Sequence, residues 1–111
     1  MKLSSCEIGT VTVLSPREAI VQSECDELRC AMADVATSGS GRIVLDLSEV
    51  SFIDSVGLEL ICSLQTVCSE NGGRLKLAAV GEICSEILRV TDLSKQFEIL
   101  PSVEEAAKSM A

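Results

Sequence analysis

Apolar residues recur in two rhythms along this chain, and the switches between them lay out its elements. Ile43-Val44-Leu45-Asp46-Leu47 is a short, nearly unbroken apolar run of strand-forming types, the pattern of a buried strand. Ser48-Glu49 breaks it and Phe52-Ile53 follows. From Leu58 onward Ile61, Leu64, Gln65 and Cys68 fall at helical spacing, which predicts a helix from about Val56 to Glu70. Asn71-Gly72-Gly73 ends it as a glycine C-cap. Leu75 to Val80 reads as the next strand, and Glu82 to Val90 as a helix with Ile83, Ile87 and Val90 inward. Phe97 to Leu100 reads as a short last strand, broken by Pro101. Ser102-Val103-Glu104-Glu105 has the form of a capping box and opens a final helix to about Met110.

The N-terminal third is less regular. Ile8 to Leu14 alternates, with Val11 and Val13 on one face, and predicts a strand. Ser15-Pro16-Arg17-Glu18 fits a turn into a second short strand, Ala19-Ile20-Val21; it also fits a capping box with Pro at the first helical position. The turn is preferred because Ser23-Glu24-Cys25-Asp26 offers a later helix start. From there Cys25, Leu28, Met32 and Val35 form the apolar stripe of a helix from about Glu24 to Thr37. Ser38-Gly39-Ser40-Gly41 connects that helix to the strand at Arg42. Its glycines resemble half of a dinucleotide-binding loop in the wrong order, since such a loop follows a strand and opens a helix.

Strands and helices thus alternate after an N-terminal strand or hairpin. The expected architecture is α/β: one domain over residues 1–111, with a mixed sheet of four to five strands and about four helices packed mainly on one side. Only Phe52 and Phe97 are aromatic, so the core has to be aliphatic. A formal net charge of −8 excludes nucleic acid as a partner, because phosphates need a basic surface. The apolar runs fall far short of the ~20 residues that span a bilayer. The polar opening Met1-Lys2-Leu3-Ser4-Ser5-Cys6-Glu7 does not fit a signal peptide, so no membrane insertion and a cytoplasmic location are expected.

Six cysteines stand at Cys6, Cys25, Cys30, Cys62, Cys68 and Cys84, with no Cys-x-x-Cys pair and no histidine, so neither a metal site nor a disulfide framework is expected. Cys25, Cys62, Cys68 and Cys84 fall in helical patterns, where a free cysteine acts as a small hydrophobe.

The chemistry concentrates in Asp54-Ser55-Val56-Gly57, where the strand region hands over to the helix. Ser and Asp are preferred N-caps, and on that reading Ser55→Ala costs ~0.5–2 kcal/mol. The alternative is an exposed hydroxyl at the positive end of a helix, ringed by free backbone N–H groups and suited to carrying a phosphate. Catalysis by Ser55 would need a base, and the chain has neither histidine nor a Gly-x-Ser-x-Gly elbow. No Gly-x-x-x-x-Gly-Lys loop is present, and Asp26-Glu27 and Glu104-Glu105 read as solvated helix starts. A non-enzymatic protein without a cofactor is expected.

Val44-Leu45-Asp46-Leu47 followed by Val50-Ser51-Phe52-Ile53-Asp54-Ser55-Val56-Gly57-Leu58 resembles the signature of STAS domains, and more narrowly that of bacterial anti-sigma-factor antagonists. The likeness continues through Gly72-Gly73-Arg74-Leu75-Lys76-Leu77, Ile87-Leu88-Arg89-Val90-Thr91-Asp92-Leu93 and Phe97-Glu98-Ile99, covering residues 42–110 well and the first forty poorly. The resemblance implies the same α/β layout. It also implies that Ser55 is the target of an anti-sigma factor that is itself a serine kinase. The unphosphorylated form would bind that factor and free a sigma factor; a phosphatase acting on phospho-Ser55 would restore it. The contact residues would be Asp54, Ser55, Val56, Gly57 and Glu59, with Val56 and Gly57 leaving a low surface for close approach. ATP would belong to the kinase. Two positions depart from the pattern: Val56 stands where a second Ser or Thr is common, and Arg17 to Gln22 lacks a Gly-x-x-Asp turn. Other STAS roles remain open: a subunit of a lipid-transport ABC system, a stress-signalling scaffold, or a nucleotide- or small-ligand-binding domain.

Overall fold

A computed structural model describes residues 2–38 and 41–110. Among these residues one five-stranded sheet runs β1 (Leu3–Ile8), β2 (Val11–Pro16), β3 (Arg42–Asp46), β4 (Arg74–Ala78) and β5 (Ile99–Leu100), in sequential spatial order. β1 and β2 form an antiparallel hairpin, and every later pair is parallel. Parallel neighbours need crossovers, supplied by α1 (Cys25–Ser38), α2 (Ser55–Glu70) and α3 (Glu82–Val90). α4 (Val103–Met110) closes the chain.

The two faces of the sheet carry separate cores. On one, Ile43, Leu45, Leu75 and Leu77 meet Leu28 and Met32 of α1, Ile61, Leu64 and Cys68 of α2, and Cys84 and Leu88 of α3. On the other, Val11, Val13, Val44 and Ala78 lie under Ala106, Ala107 and Met110 of α4. Side chains alternate along a strand, so β3 sends Ile43 and Leu45 one way and Val44 the other. Burial on both faces is the reason for its unbroken apolar run. Three helices on one face and one on the other is the mixed-sheet α/β arrangement the sequence pattern predicts.

Four local expectations need correction. The run Ile8 to Leu14 is not one strand: the chain reverses at Gly9, whose φ of +62° lies in the left-handed region, and Ile8 belongs to β1. β1 itself gives no periodic signal because most of it is exposed at the sheet edge. Ala19-Ile20-Val21 forms no strand; only Ile20 pairs, in a single parallel bridge with Ile53. On α3 the buried residues are Cys84 and Leu88, whereas Ile83 and Val90 face outward. Finally, α1 runs to Ser38, while Gly39 and Ser40 of the expected connector lie outside the described residues.

Cys25, Cys68 and Cys84 are buried as small apolar side chains, and burial pushes all three thiols above their ordinary range. Cys84 Sγ also donates to the Val50 carbonyl at 3.3 Å, fixing α3 against the loop that leads to α2.

Candidate functional site

That loop is held at each step. Asp46 ends β3 and accepts from the Ser48 amide and the Ser15 hydroxyl, both at 3.0 Å. The Leu47 amide donates to Ala78 at 3.0 Å, keeping the loop on the sheet. Farther on, the segment after β2 comes alongside: the Ile20 amide donates to Phe52 at 2.9 Å, and the Asp54 amide donates to Ile20 at 3.1 Å. Ile20 and Ile53 are both fully buried beneath this bridge.

Asp54 is the N-cap of α2. Its extended backbone turns the side chain back over the first turn, where Oδ1 accepts the Gly57 amide at 2.8 Å. Oδ2 accepts the Gln22 amide at 2.9 Å. One carboxylate therefore joins the helix start to the segment at residues 20–22. The Gly57 and Gln22 N–H groups hold its pKa below the ordinary aspartate range, with a further contribution from the Val56 amide.

Ser55 is the first residue of α2 and is exposed. The capping role belongs to Asp54, and among the described residues no group holds the Ser55 hydroxyl. Glu59 lies one turn further on the same face and is exposed too. Val56 is half-buried against the core. Gly57 corrects the expectation of a low, open surface, because it is buried under the segment at Ile20. A Cβ there would stand 2.4 Å from the Ile20 carbonyl oxygen and 2.9 Å from the Ile53 side chain. Glycine at this position allows two backbones to approach, and what reaches the surface above it is Ser55.

The helix start also differs from the empty anion cradle expected from spacing. Asp54 already occupies the N–H group of Gly57, so a phosphate on Ser55 would stand beside a carboxylate. The same occupancy makes Asp54 a poor base for Ser55, since both of its oxygens face backbone donors. Among the described residues, no cluster of three or more His, Cys, Asp or Glu side chains could hold a metal ion. No described helix is long and apolar enough to cross a membrane. Sequence reasoning missed Ile20 and Gln22 as parts of this site. Ile20 gave a signal, the largest residue of the short apolar run Ala19-Ile20-Val21, but Gln22 acts through its backbone and leaves none.

The STAS domain family model matches residues 3–106, which takes in every strand, the first three helices and the start of the fourth. The chain belongs to the STAS domain family. A Bordetella bronchiseptica relative, provisionally named anti-sigma factor antagonist BtrV, is 23% identical over 107 residues, covering 96% of this chain and 92% of that protein. The STAS fold recurs in a Thermotoga maritima crystal structure, again provisionally named an anti-sigma factor antagonist. Its TM-score is 0.91 at 24% identity, over 97% of this chain and 93% of that one. SpoIIAA, an anti-sigma factor antagonist solved in its unphosphorylated form, gives a TM-score of 0.83 at 15% identity, over 97% of this chain and 95% of that one. The phosphorylated form of this Bacillus cell fate determinant gives 0.77 at 14% identity, over 99% and 100%.

Proposed function

We propose that this STAS domain is an anti-sigma factor antagonist, a binding module switched by a phosphate on Ser55. The observation that carries the reading is an exposed, uncommitted hydroxyl at the head of α2, on a helix start braced from beneath by Asp54, Gly57 and Ile20. The names of its relatives support the partner class, and SpoIIAA, solved with and without phosphate, supports the modification.

In the unmodified state the outer surface of the first turn, made by Ser55, Val56 and Glu59 with Asp54 at its edge, meets an anti-sigma factor and keeps it from its sigma factor. That factor is also a serine kinase. It brings ATP and the base that takes the Ser55 proton, so this chain is substrate and ligand rather than catalyst. Phosphorylation adds about −1.5 to −2 charges. The new charge stands next to Asp54 and one turn from Glu59, with Asp54 already on the nearest helix donors. It is projected outward, toward the partner. A hundredfold loss of affinity needs only ~2.8 kcal/mol, within reach of one misplaced charge at an interface. A phosphatase reverses the change. The site of action is the cytoplasm, where sigma factors work.

The reading is tested by incubating the purified chain with ATP and candidate anti-sigma factor serine kinases from the same organism, then mapping phosphate by mass spectrometry. The expected result is one phosphopeptide, carrying Ser55. Phosphate elsewhere, or none, contradicts it.

A further inference from the structure

α3 is apolar on two faces. Cys84 and Leu88 point into the core, while Ile83, Ile87 and Val90 form a second stripe at i, i+4 and i+7 that faces away from it. Ile83 is 62% exposed and Val90 64%. Across from them stands Phe52, one of the two aromatic residues of the chain, 47% exposed. Phe52, Ile83, Ile87 and Val90 line one groove of about 450 Å³, together with Glu82 and Glu86. Five large apolar residues are exposed among the described residues, and three of them meet here. Scattered apolar residues on a surface call for no explanation; a groove of them beside a candidate contact site does. Phe52 stands three residues before Ser55, and Cys84 ties α3 to the loop that carries it, so groove and phosphosite share one framework.

The charges select the occupant. Glu82 and Glu86 line the groove of a chain whose net charge is −8; Arg89 of the same helix pairs with Glu86, so the acidic character of the rim rests on Glu82 and on the chain's overall charge. A second copy would bring these acids against their own counterparts, and an anionic lipid surface would be repelled. We propose that the groove receives an amphipathic helix of the partner, apolar along the face that meets Phe52, Ile83, Ile87 and Val90 and flanked by lysine or arginine. This rests on the binding-module reading for the partner's identity, and it deepens that reading by giving the interface an apolar anchor separate from the switch. Ser55 then sets whether the partner stays, while the groove sets where it sits.

Two measurements test it. The first uses a model peptide rather than the partner: the isotopically labelled chain is titrated with a helical leucine–lysine peptide and with its leucine–glutamate counterpart, and amide shifts are followed by NMR. The inference expects shifts at Phe52, Ile83, Ile87 and Val90 with the cationic peptide, and shifts at least tenfold weaker in apparent affinity with the anionic one. No shift, equal response to both, or shifts confined elsewhere overturns it. The second compares wild type with the double variant Ile83→Ser/Val90→Ser, whose positions are exposed and whose melting temperature reports retained folding. The anti-sigma kinase should bind the folded double variant at least tenfold more weakly, while Ser55 in that variant remains the residue whose charge abolishes binding. Unchanged affinity, with Ser55→Asp still blocking, overturns the groove and leaves the switch standing. Loss of a concentration-dependent dimer in the double variant would assign the groove to a second copy and also overturns it.

Discussion

Gly57 lies directly against the carbonyl oxygen of Ile20, close enough that a Cβ on the glycine would come within 2.4 Å of it. No real Cβ sits that near a backbone oxygen. The first turn of α2 is therefore seated on the segment after β2, and Asp54 locks the seat by hydrogen bonding to both sides. Ser55 is presented outward by a rigid base.

Replacing Gly57 with alanine gives a test with opposite signs. In an open helix the change would stabilise by about 0.5–1 kcal/mol through lost chain entropy. Here the methyl group meets a backbone atom that cannot rotate away, so the expected outcome is a loss of ~1–3 kcal/mol, the usual scale of overpacking. Thermal unfolding checks it: the melting temperature should fall, and a rise would show that the contact is loose.

Asp54 makes stability depend on acid. Its folded pKa is depressed by backbone N–H donors, so the carboxylate contributes fully above the unfolded aspartate value of ~3.9 and the contribution is lost as pH falls through the lower folded value. Urea unfolding from pH 7 down to pH 2 should show a shallower acid limb in Asp54→Asn than in wild type. Part of the limb survives, because Glu86 and Glu98 are held low by Arg89 and Lys76. Parallel limbs in the two proteins would mean that Asp54 is not held by these donors in solution.

Ser55→Ala should leave stability within about 0.5 kcal/mol of wild type, the range of surface changes that touch no cap or core. This revises the larger cap cost expected from spacing, since the capping carboxylate belongs to Asp54. Chemical denaturation of the variant decides the matter; a larger loss would mean that the hydroxyl is structural.

Lys76 is a buried charge with lenient partners. Its Nζ donates to the Ser109 hydroxyl of α4 and pairs with Glu98, each at 2.8 Å. The Glu98 side chain is 60% exposed, so removing the lysine strands no buried acid. Lys76→Met, which keeps the aliphatic stem, should change stability by less than about 1.5 kcal/mol, as volume-conserving core swaps do. Lys76→Ala opens a gap under α4 and should cost more. If the methionine variant unfolds as readily as the alanine variant, the polar contacts of the ammonium, to Ser109 of α4 and to Glu98, outweigh the packing of its stem.

The architecture was legible wherever burial imposed a period. β3 announced itself by being apolar on both faces, and α2 by Leu58, Ile61, Leu64 and Cys68. β1 was silent because an exposed edge strand needs no apolar face. α3 misled for a physical reason: its more conspicuous stripe, Ile83, Ile87 and Val90, is the one left outside, while the core takes the smaller Cys84 with Leu88. The strand-to-helix turn at Ser55 was readable from local spacing. Its bracing by Ile20 and Gln22 was not, because that depends on a long-range pairing and on backbone atoms common to every residue. Gly57 was noticed for the right property, its lack of a side chain, but the space is filled from within the fold.

Under the proposed function, charge at Ser55 gates association while the fold stays intact. The most direct test is calorimetric titration of the anti-sigma kinase with the unmodified, Ser55-phosphorylated and Ser55→Ala forms, all three first shown to melt at the same temperature within a few degrees. The unmodified and alanine forms should bind alike, and the phosphorylated form at least a hundredfold more weakly, ~2.8 kcal/mol. Equal affinity of the phosphorylated and unmodified forms would contradict a phosphate switch at Ser55.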